Sequence, residues 1–155
     1  MRVVVLAIGR LGRCPEAELT ADYLARATAS GRRLGLGPFE LIETEGKRAE
    51  PEAEAAALLS RIEDGDHVVI CDERGRSAPS RAFAAGLASE RDEGVRRTVF
   101  VIGGASGLHA DVKARAEQTL GFGAQTWPHA LVRAMLAEQL YRAVTILAGS
   151  PYHRD

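Results

Sequence analysis

Two short runs in this chain are apolar at almost every position. Val3-Val4-Val5-Leu6-Ala7-Ile8 and Thr98-Val99-Phe100-Val101-Ile102 are rich in β-branched residues and show no polar alternation. A strand that is apolar on both sides must be covered on both sides, which points to a central, mostly parallel sheet with helices on each face. The rest of the chain supplies the alternation such a sheet needs. Pro15 followed by Leu19, Tyr23, Leu24 and Ala27 has helical spacing, and three glycines and a proline then break the chain from Gly31 to Pro38. Phe39–Glu43 reads as a second strand and Pro51–Ile62 as an Ala-rich helix with its proline in the first turn. Strand His67–Cys71 precedes a helix over Ser80–Glu90, capped by Ser80 or Ser77. After Thr98–Ile102 come a glycine loop and a helix from about Ala110 to Thr119. A short strand near Gly121–Thr126 and a long helix from about Pro128 to Ala148 complete the pattern. The expected fold is α/β, in one domain spanning residues 1–155.

The long helix carries more apolar surface than one neighbour covers. At 100° per residue, Leu131, Val132, Met135, Leu136, Leu140, Val144, Ile146 and Leu147 occupy more than half its circumference. In a domain this small the second cover is expected to be another copy of the chain, giving a homodimer. Glu138 and Arg142, at i and i+4, are placed to pair along the helix or across that interface.

Several function classes are disfavoured. The formal net charge is −1, unlike a general nucleic-acid binder. Arg10, Arg13, Arg32 and Arg33 read either as one basic surface or as scattered solvated charge. No apolar run reaches the ~18 residues of a membrane span, and the start lacks a signal-peptide pattern. Cys14 and Cys71 are isolated and read as reduced thiols of a cytoplasmic protein. The four histidines, His67, His109, His129 and His153, share no metal-ligand spacing, so no metal is expected. No G-x-S-x-G elbow or G-K-[ST] loop is present.

Candidate chemistry lies in three places. Gly103-Gly104-Ala105-Ser106-Gly107 follows a strand and precedes a helix, where backbone amides meet a polar ligand edge. Thr126-Trp127-Pro128-His129 opens the long helix, with Thr126 as a possible cap. The tail Ser150-Pro151-Tyr152-His153-Arg154-Asp155 crowds a phenol, an imidazole, a guanidinium and a carboxylate into four positions.

Taken together, Ile102–Leu108, Thr126–Arg133, Glu138–Ala143 and Pro151–Asp155 closely resemble the ribosomal large-subunit methyltransferase H family of the SPOUT class. Val5-Leu6-Ala7-Ile8-Gly9, Phe39–Glu43 and Gly46-Lys47-Arg48 fit as well, so the likeness spans the chain. The resemblance implies a C-terminal trefoil knot, a homodimer, and S-adenosyl-L-methionine as cofactor. It also implies methylation of N3 of a pseudouridine in 23S rRNA, on the assembled ribosome. Carried over by position, the cofactor would be cradled by Cys71, Gly103 and the run Phe122, Gly123, Ala124, Gln125, Thr126 and Trp127. The chain departs from the family pattern at Cys71, where leucine is common, at Ser106, where glutamate is frequent, and at Asp155, usually glutamate.

An imide nitrogen must lose its proton to be methylated. His153 or His129 is expected to take that proton, directly or through water, and Arg154 to hold the anionic ring or a phosphate. Tyr152 would stack on the flipped base, and Arg142 would assist from the partner chain. The alternative is a non-catalytic ribosome-binding or assembly factor that keeps the pocket.

Overall fold

A computed structural model describes residues 1–48 and 50–154; Asp155, the tail's last acid, lies outside the described residues. Five strands form one parallel sheet: β1 Arg2–Ile8, β2 Phe39–Thr44, β3 His67–Arg76, β4 Arg97–Ile102 and β5 Gln118–Leu120. Their spatial order is β2-β1-β4-β3-β5, all neighbours parallel. Five α-helices connect or follow them: α1 Pro15–Gly31, α2 Pro51–Leu59, α3 Ser80–Asp92, α4 Ala110–Arg115 and α5 His129–Leu147. No helix among the described residues is long and apolar enough to cross a membrane.

The two runs of unbroken apolar residues occupy the centre of the sheet, as their composition requires. Val3, Val5, Ala7, Phe100 and Ile102 face α1, α3 and α5 through Leu24, Ala84, Leu87, Leu136 and Leu140. Val4, Leu6, Ile8, Val99 and Val101 face α2 and α4 through Ala55, Leu58 and Val112. All of these side chains are essentially withdrawn from water, a burial whose apolar area drives the assembly of both layers. The N-terminal edge is held by Arg97, which donates to both oxygens of Asp66 at 2.9 and 2.6 Å and to Glu63 at 2.8 Å. The C-terminal edge is left for chemistry.

Several local expectations are corrected. The helix expected to reach Thr119 stops at Arg115, and the last strand lies at Gln118–Leu120, not Gly121–Thr126. Glu117 explains the early exit: its amide donates to Val68 O at 2.9 Å, and its side chain accepts from Val68 N at 2.6 Å. The chain is thereby stitched to the edge of β3. α3 and α5 start at Ser80 and His129 after prolines at the cap position, with no side-chain cap. The Ser80 hydroxyl donates instead to Gln139 at 2.7 Å, and Thr126 donates to Glu73 at 3.1 Å. Of the two readings of the four arginines, one shared basic surface is not what the fold produces. Arg10 and Arg13 precede α1, whereas Arg32 and Arg33 follow it in a 3-10 turn. A helix of 17 residues separates the pairs by about 25 Å.

The segment after β5 crosses the extension of β3 at very short range. A Cβ on Gly75 would stand 2.4 Å from the Leu120 carbonyl carbon, and one on Gly121 would stand 2.4 Å from Gly75 O. Only two facing glycines let the backbones approach so closely. The crossing directs Phe122 and the residues after it across the mouth of the sheet. Gly121→Ala is expected to lower unfolding free energy by about 3 kcal/mol in urea titration, because backbone on the far side has no room to yield.

Candidate active site

A cleft of about 760 Å³ opens at the C-terminal ends of β3 and β4, within the range of small-molecule and cofactor sites. Its walls are the end of β3 from Cys71 to Arg74, the glycine loop from Gly103 to Leu108, and residues 125–129 leading into α5. Phe122 and Val132 close the apolar back. Of the expected cofactor residues, Cys71, Gly103, Phe122, Gln125, Thr126 and Trp127 line this cleft. Gly123 lines the neighbouring apolar groove instead, and Ala124 belongs to the connecting segment without lining either.

Each wall has a local cause. The glycine loop turns back on itself, with Gly107 N donating to Gly104 O at 3.0 Å. A Cβ on Gly103 would meet Gly107 C and O and Leu108 Cδ2, each at 3.0 Å, so a glycine here lets the loop close tightly on itself. Trp127 is two-fifths exposed, and its indole N–H donates to Phe122 O at 3.2 Å, which pins the ring beside the opening. Lys113 binds the Asp72 carboxylate at 2.8 Å, and Arg74 N donates to it at 2.9 Å. Those two contacts hold Asp72 below the usual carboxylate range. Burial pushes the Cys71 thiol up to about 12, so it remains a neutral apolar contact at neutral pH and is no nucleophile.

The tail does not reach this cleft within one chain. Arg142 binds Glu138 through Nε at 2.9 Å and through Nη2, and its Nη1 donates to His153 Nδ1 at 3.2 Å. The Tyr152 hydroxyl donates to Glu138 at 3.1 Å, and its ring lies 4.9 Å from the Arg142 guanidinium and 4.8 Å from the Tyr141 ring. Burial, Tyr23 and the Glu138 charge push the Tyr152 phenol upward, so it acts as donor and stacking surface and not as a base. Thus Tyr152, His153 and Arg142 assemble on the C-terminal half of α5, with Arg154 exposed beside them. His129 stands alone of the five at the cleft, 13 residues and about 20 Å along α5 from Arg142.

One important residue was not singled out by its type. Arg133 is fully buried in the middle of α5. Its Nη1 donates to Glu43 Oε1 at 2.6 Å and its Nη2 to Ile8 O at 2.5 Å, while its Nε has no partner among the described residues. Glu43 Oε1 also accepts from Leu11 N at 3.1 Å. The signal was present: positions 133, 136, 137 and 140 share one helical face, and the other three are Leu136, Ala137 and Leu140.

The comparisons with known proteins agree over the whole chain. The family described as predicted SPOUT methyltransferase matches residues 1–153. The ribosomal RNA large subunit methyltransferase H of Phenylobacterium zucineum is 59% identical over 155 residues, covering all of both chains. Its namesake from Caulobacter vibrioides is 57% identical, covering 100% of this chain and 99% of the relative. Two solved structures share the fold at low identity. A probable methylase family protein from Haemophilus influenzae has TM-score 0.54 and 13% identity, covering 99% of this chain and 70% of that one. A probable methyltransferase from Bordetella pertussis has TM-score 0.52 and 19% identity, with 92% and 94% covered.

Arg133→Met is expected to destabilise the protein by about 3 kcal/mol, since it strands Glu43 beside a vacated pocket. The double variant Arg133→Met with Glu43→Gln should recover part of that loss in urea titration; strict additivity would mean that the two side chains are not coupled. With its full-length match and its relatives above half identity, the chain belongs to the ribosomal RNA large subunit methyltransferase H family of SPOUT methyltransferases.

Proposed function

We propose that this methyltransferase modifies N3 of a pseudouridine in 23S rRNA on the assembled ribosome, as a cytoplasmic homodimer that uses S-adenosyl-L-methionine and no metal. The observation that carries the proposal is the division of the expected machinery. The cofactor cradle and the Tyr-His-Arg tail are both present, yet they lie at opposite ends of α5 in one chain. A second protomer would bring a tail to each cleft. Uncovered apolar surface supports that partner: Leu19 is 47% exposed and Leu131 37%, both lining a groove with Tyr23, Phe83 and Met135. The same reading includes a trefoil knot in the C-terminal portion of the chain.

The residues fit the cofactor. Glycine-loop amides and the carbonyls of residues 122–127 would read an adenine edge, and Cys71, Phe122 and Trp127 would supply apolar walls in a cleft of about 760 Å³. When bound, the cofactor supplies an electrophilic methyl group on a sulfonium sulfur, so no protein nucleophile is required. The protein must position the target base and manage its proton. His153 of the tail or His129 at the cleft takes the N3 proton, directly or through one water. The negative charge left on the ring oxygens is met by the Arg154 guanidinium. Tyr152 stacks on the base, and Arg142 donates to His153 Nδ1, which leaves the neutral ring's proton on Nε2, so His153 takes the N3 proton at Nδ1 once that contact is released. Arg10 and Arg13, beside the C-terminal sheet edge, contact phosphate, while Arg32 and Arg33 lie too far away to share that contact.

Labelled methyl from S-adenosylmethionine should appear on N3 of pseudouridine in 23S rRNA of ribosomes lacking the modification, as identified by mass spectrometry. Label at another nucleotide would redirect the substrate assignment, and binding without transfer would favour an assembly factor. The division of labour has its own test. A variant with a ruined cleft, Trp127→Ala with Gly103→Val, is mixed and refolded with one truncated before Pro151. Random pairing in a two-fold dimer should restore about one quarter of wild-type activity if the tail serves the partner's cleft. No restoration would place cleft and tail in the same protomer.

A further inference from the structure

A C-terminal tail serves chemistry only if something fixes its side chains, and the end of α5 supplies the first hold. Gly149, with φ of +66°, closes the helix and turns the chain back, and Ser150 N donates to Thr145 O at 2.9 Å. Beyond Ser150 the hold passes to side chains. They converge on one acid further back along α5.

That acid is Glu138. Its Oε1 accepts from Arg142 through Nε at 2.9 Å and through Nη2, and from the Tyr152 hydroxyl at 3.1 Å. Its Oε2 accepts from Gln139 Nε2 at 2.7 Å. Arg142 spends its remaining nitrogen, Nη1, on His153 Nδ1 at 3.2 Å. A single carboxylate oxygen therefore fixes Tyr152 directly and His153 through one guanidinium. A Glu–Arg pair at i, i+4 that served only the helix could stand in water with no desolvation cost. This pair is drawn out of water, with side chains 19% and 25% exposed for Glu138 and Arg142, and Glu138 also lines the apolar groove.

A second element closes the arrangement from α1. The Tyr23 ring lies 5.9 Å from the Tyr141 ring, which in turn meets Tyr152 edge-on, and the Tyr23 hydroxyl is hydrogen-bonded to the Tyr152 hydroxyl. Tyr152 is thus held at its ring by Tyr141 and at its hydroxyl by Glu138 and Tyr23. Because Glu138 grips Nε and Nη2, the Arg142 guanidinium stays in place when Nη1 releases the imidazole.

Resting on the functional reading above, we propose that Glu138 is a positioning residue for methyl transfer, presetting Tyr152 and, through Arg142, His153 before the target base arrives. Glu138 touches neither substrate nor cofactor and moves no proton. Tyr23 supports it from the neighbouring helix.

The test uses the full chain as wild type, Glu138→Ala, Glu138→Gln and Tyr23→Phe, with labelled methyl transfer to ribosomes lacking the modification. Misplacing a reacting group by about an ångström costs on the order of 100-fold, so Glu138→Ala should lose roughly that factor in kcat with little change in KM for ribosomes. Glu138→Gln, which keeps the shape and an acceptor oxygen but not the charge, should lose less, and Tyr23→Phe least. S-adenosylhomocysteine affinity by calorimetry should match wild type in all three, because the cleft lies at the other end of α5. The Tyr152 phenol, followed by ultraviolet difference spectra against matching Tyr152→Phe proteins, should ionise at lower pH in Glu138→Gln and in Tyr23→Phe than in wild type.

Wild-type kcat in Glu138→Ala, a loss confined to KM, or an unchanged Tyr152 titration would overturn the proposal. S-adenosylhomocysteine affinity falling in step with activity would overturn it too, by giving Glu138 a role in the fold or the cleft. Each of those results spares the methyltransferase reading. Wild type that transfers no methyl to any ribosome would overturn the reading and the proposal together.

Discussion

A single buried guanidinium holds the two halves of this molecule in register. Arg133 sits among Leu136, Ala137 and Leu140 on the buried face of α5, yet reaches past them to the last carbonyl of β1 and to the carboxylate of Glu43 near the end of β2. The first turns of α5 wall the cleft, and the ends of β1 and β2 carry the loop with Arg10 and Arg13, whose Leu11 amide bonds to the same Glu43 oxygen. An apolar residue at this position would pack at less cost, because a buried pair must overcome the desolvation of both charges. What it would lose is direction. A guanidinium accepts only a few arrangements of acceptors, so α5 is fixed in rotation and in height against the sheet edge.

That fixed edge divides the labour. The glycine loop closes one side of a cleft built from backbone and apolar walls. Carbonyls, amides and a neutral Cys71 suit a cofactor recognised by shape and hydrogen bonding. The tail adds a second set of groups, organised on Glu138 and Arg142. Its network orients His153 within one chain, which in the proposed dimer lowers the ordering cost of delivering it to the partner's cleft.

Most of the architecture was legible because it follows from burial on both faces. Runs without a polar residue had to be central strands, and Pro15 and Pro51 marked helix starts where the structure has them. The misreadings share one cause. Lys113, Arg115 and Gln118 look like a helix surface, but Glu117 ties the chain to Val68 through long-range bonds that no local pattern records. Thr126 and Ser80 have the chemistry of caps and are drawn instead to Glu73 and Gln139, which lie far away in sequence. The glycine loop and the string from Thr126 to His129 were visible as motifs.

The charge distribution follows from the same geometry. A chain of net charge −1 gains little from counterion release on free RNA. Arg10 and Arg13 stand beside the C-terminal edge of the sheet, while Arg32 and Arg33 stand a helix length away on the opposite edge. Two small, separated patches bind weakly to any one stretch of backbone, yet a rigid surface presenting phosphates at the right separation engages both. An assembled ribosome offers such a surface and a flexible strand does not. On the proposed function, weak overall charge is then a means of discrimination: affinity arises only where the shape of the target matches the spacing of the arginines.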